Sequence, residues 1–168
     1  MNKRNNIFIL VIGILLLVVS YEYDLPISAF FKETHTLLFD IIFRVITNFF
    51  FVIAAMLLIP GFFLYKKNRK ALIYSAAAFL ASIIVAFVIK LIVLRQRPIQ
   101  EFTFPFTQII DYSFPSMHAM VAFALVPLLA YYFSKQKYFW IGFAVLVAFT
   151  RIYFGFHFLS DVVFGIFA

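Results

Sequence analysis

The chain has 168 residues, 65% of them hydrophobic and only 12% charged, with a mean hydropathy of +1.05 and a formal net charge of +7. Soluble domains carry roughly one quarter charged residues, so this composition excludes an ordinary soluble domain and points to an integral membrane protein. The lack of cysteine excludes a disulfide framework, a thiolate nucleophile and a cysteine metal site, and the basic residues stand in short clusters beside apolar runs, where they set topology rather than bind nucleic acid.

In chain order, hydrophobic segments are predicted at about 6–20, 45–65, 71–93, 117–134, 138–153 and from 157 onward. Phe49–Tyr65 and Ala71–Ile89 carry no charged residue and approach or reach the roughly 20 residues of a spanning helix. These runs are continuous and do not alternate, which rules out a strand barrel. The first segment follows the basic start MNKRNN and reads as a retained anchor, because Ser20 is a weak cleavage position followed by bulky Tyr21. The segment from 157 holds about a dozen residues before Ala168, too few to span, so a sixth helix cut short is expected.

Between the first two segments, Asp24–Asn48 mixes apolar and polar residues at helical spacing, with Pro26 placed as a first-turn proline. It is expected to form a helix in the outer interface, with His35 as a packing residue. Lys3 and Arg4, then Lys66, Lys67, Arg69 and Lys70, then Lys135 and Lys137 mark alternate segment ends, which the positive-inside rule assigns to the cytoplasm. The opposite ends hold the seven acidic residues, among them Glu101 and Asp111, and also Lys90, Arg95, Arg97, His118, Arg151 and His157. The fold class expected is all-α: one polytopic membrane bundle over 1–168, a six-helix core plus the interfacial helix.

Cations on the side where positive charge is normally avoided require a separate reason, and three clusters supply one. The first is Lys90–Pro98, KLIVLRQRP. If the helix runs on to Arg97, the seven-residue interval returns Lys90 and Arg97 to one face after about two turns, with Pro98 ending the helix. Alone, Lys90 or Arg95 is accounted for by snorkelling to the headgroup layer; three cations in eight residues favour an anionic ligand. The second cluster, YSFPSMHAM, places Ser116 as an N-cap and leaves the N–H groups of Met117 and His118 in a first helical turn, a ready phosphate site. The third is TRIYFGFHFLSD: Gly155 breaks the fifth helix, His157 begins the sixth, and Asp161 four residues on would accept from Nδ1 of His157, leaving the other nitrogen free as a nucleophile.

Together the pattern K-x6-RP, P-S-x-H and [ST]-R-x5-H-x3-D resembles the three signature motifs of the type 2 phosphatidic acid phosphatase superfamily. The resemblance implies that His157 attacks phosphorus, that Asp161 orients it, and that His118 protonates the leaving oxygen and then activates water. It further implies that Lys90, Arg97 and Arg151, with Ser116, Met117 and the helix N-terminus, hold the phosphoryl oxygens. No metal or cofactor is implied, and no carboxylate cluster for Mg²⁺ or Zn²⁺ stands in the sequence.

Two departures stand out: Met117 replaces the family's usual Gly, which matters if that position needs φ > 0, and Thr150 replaces the commoner Ser. The function implied is metal-independent hydrolysis of a lipid phosphate or diphosphate at the extracytoplasmic face of the cell membrane. Polyprenyl diphosphate, phosphatidylglycerophosphate and phosphatidate are the candidate substrates. The alternative is a non-catalytic lipid-phosphate binder or carrier, favoured by Met117.

Overall fold

The computed structural model describes residues 3–98 and 112–168, with side chains from Ile7 onward. Glu101 and Asp111 lie outside the described residues. The described residues are helical throughout their ordered elements: α1 (Lys3–Glu22), α2 (Asp24–Glu33), α3 (Leu37–Ile46), α4 (Phe49–Lys67), α5 (Arg69–Val93), α6 (Met117–Tyr132), α7 (Lys137–Tyr153) and α8 (Leu159–Phe167).

Local chemistry sets the boundaries. Asn48 caps α4 by accepting from the Phe51 N–H at 3.2 Å, and Asn68 caps α5 by accepting from Ala71 at 3.1 Å. Within α4 a π-helical stretch covers Ala54–Leu58, one residue before Pro60, and includes Met56, four residues back from the proline. A proline ring crowds the carbonyl four residues back and offers no N–H to it, and a wider turn relieves both problems.

α6 is the centre of the bundle. Its Val121, Ala122, Leu125 and Leu129 pack with Val52 and Met56 of α4 and with Trp140, Ala144 and Val147 of α7, all buried. α8 packs across the start of α6 and against α1. A Cβ at Gly165 of α8 would stand 3.0 Å from the Ser116 carbonyl oxygen and 3.1 Å from the Met120 nitrogen, so the two backbones nearly touch.

Large apolar side chains cover the outside, with Phe8 of α1 64% exposed, Phe50 of α4 81% and Ile92 of α5 73%. Such a surface is stable only against lipid. α4 and α5 are long and apolar enough to cross a membrane, the bent pair α1–α2 makes a third candidate, and α6 is a shorter apolar helix. The chain is an integral membrane protein.

The interfacial segment differs from its expected form. Asp24–Asn48 is not one helix but two, broken after Glu33, and α2 turns 58° from α1. Pro26 does fall in the first turn of α2. The cause of the bend is tertiary: Asp24, at the start of α2, is only 3% exposed because it faces the start of α8, with the Ser160 N–H 2.8 Å from its carboxylate.

Candidate active site

α5 does not run on to Arg97. It ends at Val93, closed by Leu94 in the left-handed region at φ 52°, whose N–H returns to the Lys90 carbonyl. Such a conformation costs a non-glycine residue about 1–2 kcal/mol. The turn delivers the next residue to three partners: the Arg95 guanidinium donates to Asp24 Oδ2 at 2.6 Å, Asp161 Oδ1 at 2.7 Å and Ser160 Oγ at 2.7 Å. Lys90 and Arg97 therefore do not share a helix face. Lys90 is buried on the last turn of α5 and donates to the Tyr112 carbonyl, while Arg97 follows the helix in non-helical chain, its guanidinium 5.9 Å from the Phe156 ring.

Ser116 is the N-cap of α6, in extended conformation and fully buried. Its hydroxyl lies 3.5 Å from the Ala119 N–H, at the limit of a hydrogen bond, while its own N–H donates to the Asp161 carbonyl at 3.1 Å. Met117 is the first residue of the helix and packs against the α4–α6–α7 core. Among the described residues Leu94 is the only non-glycine with positive φ, so Met117 occupies no conformation that demands glycine. The His118 ring sits edge-on to Phe49 at 4.8 Å and beside the Thr47 backbone, and its Nε2 is buried with no hydrogen-bond partner among the described residues.

Arg151, near the end of α7, donates from Nη1 to Thr47 Oγ1 at 2.5 Å, and its Nε is buried without a partner among the described residues. Its carbonyl accepts from the N–H groups of Phe156 and His157 at 3.1 and 3.2 Å, folding the chain back through Gly155 at φ 63°. Gly155 thus ends the helix as its sequence context predicts. Thr150 uses its hydroxyl on the Val147 carbonyl of its own helix, at 2.7 Å.

His157 lies in the turn before α8 and not within it, so its relation to Asp161 is not that of two residues on one helix face. Nδ1 is 3.6 Å from Asp161 Oδ2, too far for a hydrogen bond, and 2.6 Å from the Ser113 carbonyl. A carbonyl only accepts, so Nδ1 carries the proton and Nε2 keeps its lone pair. Asp161 is occupied elsewhere: Oδ1 by Arg95, Oδ2 by the Ser113 hydroxyl at 2.5 Å and the Phe158 N–H at 2.8 Å. Ser113, whose N–H also donates to the Arg95 carbonyl at 2.7 Å, stands between the aspartate and the histidine.

The three motif segments converge here. Lys90 holds the Tyr112 carbonyl, next to the Ser113 that bonds His157, and the Arg97 and Arg151 guanidinium groups lie 5.9 and 4.5 Å from the ring of Phe156, the residue before His157. A model of the PAP2 superfamily matches residues 70–168, more than half of the chain and all of its motif residues. The chain belongs to the PAP2 superfamily. This PAP2 chain has the fold of a crystal structure described as a transmembrane PAP2 type phosphatidylglycerolphosphate phosphatase from Bacillus subtilis. The two superpose with a TM-score of 0.74 at 24% identity, over 96% of this chain and 89% of that one. No curated protein matches the sequence.

Four residues around this centre carry no motif signal. Ser113 lies two residues before Pro115, within YSFPSMHAM, and nothing in its spacing singles it out. Asp24, Thr47 and Ser160 come from distant segments, and only packing brings them in. Arg95, counted from sequence among three cations that favour an anionic ligand, is bound between two carboxylates of the protein itself.

Proposed function

We propose that this PAP2 protein hydrolyses a lipid phosphate or diphosphate by way of a phosphohistidine on His157, without a metal, at the extracytoplasmic face. The observation that carries the reading is the hydrogen bond from His157 Nδ1 to the Ser113 carbonyl, which leaves Nε2 as a nucleophile in a turn tied to the Arg151 carbonyl. In the first step Nε2 attacks phosphorus and the bond to the leaving oxygen breaks, with His118 giving that oxygen its proton. In the second, neutral His118 takes a proton from water, the resulting hydroxide attacks phosphorus, and the N–P bond breaks to release phosphate and restore the imidazole.

A phosphoryl transition state spreads charge over its equatorial oxygens and is stabilised by fixed cations and N–H groups. Lys90, Arg97 and Arg151 are the cations in this reading, and the first turn of α6, with Ser116, Met117 and His118, supplies the N–H groups. The basic junctions at Lys66–Lys70 and Lys135–Lys137 place the opposite ends of these helices in the cytoplasm under the positive-inside rule. A lipid held by its tails in the bilayer would present its headgroup to the site from the outer leaflet. The helical conformation of Met117 removes the main support for a non-catalytic binder.

The test is phosphate release by purified protein in EDTA from farnesyl diphosphate, undecaprenyl diphosphate, phosphatidate and phosphatidylglycerophosphate, with His157→Ala beside it. Release that persists in EDTA and disappears in the variant is expected, and the panel ranks the substrates. Equal release by folded His157→Ala would reject the phosphohistidine route.

A further inference from the structure

The nucleophile's partner is held in place by the motif residue Asp161 and by a residue to which the PAP2 motifs quoted above give no role, Arg95. His157 is oriented by a backbone carbonyl, that of Ser113, and a peptide in a non-helical turn keeps its direction only if its neighbours fix it. Ser113 is fixed at its N–H by the Arg95 carbonyl and at its hydroxyl by Asp161. Arg95 is present on both routes, because its guanidinium also holds Asp161 Oδ1.

Arg95 is itself held. Its guanidinium donates to Asp24 Oδ2 and lies over the Phe158 ring at 4.1 Å and the Tyr21 ring at 5.4 Å. Asp24 is in turn locked by the Ser160 N–H and hydroxyl at 2.8 and 2.6 Å. Both carboxylates are almost wholly removed from solvent, Asp161 at 0% and Asp24 at 3% exposure. Buried ion pairs add little net stability compared with well-packed apolar side chains, so stability is a poor account of a guanidinium shared by two carboxylates here. Fixed geometry is what such a pair supplies.

We propose that Arg95, with Asp24 as its counter-carboxylate, is a positioning residue: it holds Ser113 so that its carbonyl fixes the tautomer and direction of His157. It is not a phosphate ligand. The bend between α1 and α2 is thereby part of the catalytic support, since it delivers Asp24. The inference rests on the role proposed for His157.

The experiment compares the full chain with the double variant Asp24→Asn/Arg95→Gln, which removes one charge of each sign and leaves Asp161 its Ser113 and Phe158 bonds, and with Ser113→Ala, a smaller change should the double variant fail to fold. Phosphatidate turnover, inhibition by orthovanadate and the ¹⁵N-histidine spectrum are read together, the His157 signals being assigned by their loss in His157→Gln. A fall in kcat on the order of 10²-fold, typical of a misplaced reacting group, is expected with unchanged vanadate inhibition and loss of the single Nδ1–H form of His157. Vanadate inhibition weakened in step with kcat would make Arg95 a phosphate ligand and overturn the proposal. So would a lowered Tm with unchanged kcat, the mark of a structural role. If the wild-type protein turns over no lipid phosphate, the proposed function fails, and the spectrum still decides: an unaltered His157 tautomer in both variants overturns positioning, and a lost one sustains it.

Discussion

Ser160 and Asp24, 136 positions apart, are joined twice: the Ser160 N–H donates to one carboxylate oxygen at 2.8 Å and its hydroxyl to the other at 2.6 Å. This clasp ties the start of α8 to the start of α2. Ser160→Ala removes the hydroxyl from both Asp24 and Arg95 in a buried site, and a loss of about 1–3 kcal/mol is expected. Thermal unfolding in detergent measures it, and an unchanged Tm would show that the hydroxyl's part of the clasp contributes nothing.

Gly165 and Gly142 should respond in opposite directions to the same change. A Cβ at Gly165 meets backbone atoms of α6 at 3.0 and 3.1 Å, whereas nothing lies within 4 Å of one at Gly142. Gly165→Ala is expected to destabilise by about 1–3 kcal/mol through overpacking. Gly142→Ala, inside α7, should be neutral or stabilise by up to about 1 kcal/mol. Equal Tm values for the two variants would contradict the close α6–α8 crossing.

Arg151→Lys keeps the charge but cannot keep the planar fork that grips Thr47 Oγ1 at 2.5 Å. A kcat loss of about 10²–10³-fold is expected, the usual effect of losing a transition-state donor. Thr47→Ser, which keeps the hydroxyl, should lose far less. Steady-state kinetics on a lipid phosphate check both, and full activity in Arg151→Lys would remove Arg151 from the phosphate clamp.

Met117→Gly restores the residue usual in the family, and it should not improve the protein. Met117 already takes a helical conformation and packs against the core. The glycine is expected to cost up to about 1 kcal/mol in stability with little change in kcat. A rate increase of about tenfold or more, equivalent to 1.4 kcal/mol in the barrier, would mean that the methionine obstructs phosphate.

Asp40 of α3 accepts from Tyr153 at 2.8 Å and pairs with His35 at 2.9 Å, fastening the interfacial helix to the end of α7. The His35 contact, then the Tyr153 hydroxyl, hold its carboxyl below the ordinary value of 3.8. A depressed carboxylate contributes stability that is complete above the unfolded-state value and is lost as pH falls through the lower folded-state value. The wild-type protein should therefore lose Tm below pH 3.8 faster than Asp40→Asn does. Parallel curves would dismiss the fastening.

The interfacial segment and the histidine turn show where sequence reasoning stopped. Periodicity identifies helix in Asp24–Asn48 and the basic clusters identify ends, because both are local properties of the chain. The 58° bend at the start of the segment is set by the Asp24 carboxylate reaching residues more than 70 positions away, which no local pattern encodes. Likewise, the i to i+4 spacing of His157 and Asp161 suggests a direct hydrogen bond. The turn held by the Arg151 carbonyl places Ser113 on that nitrogen instead.

The sequence by itself determined that this is an all-helical membrane protein of the PAP2 superfamily and which residues form its motifs, because hydropathy and motif spacing are written in order along the chain. Only the tertiary structure decided that α5 stops at Val93, that Arg95 lies between Asp24 and Asp161, and that Ser113 separates the aspartate from the histidine. Those relations depend on where buried charges find partners once helices pack, and burial is a property of the assembled fold.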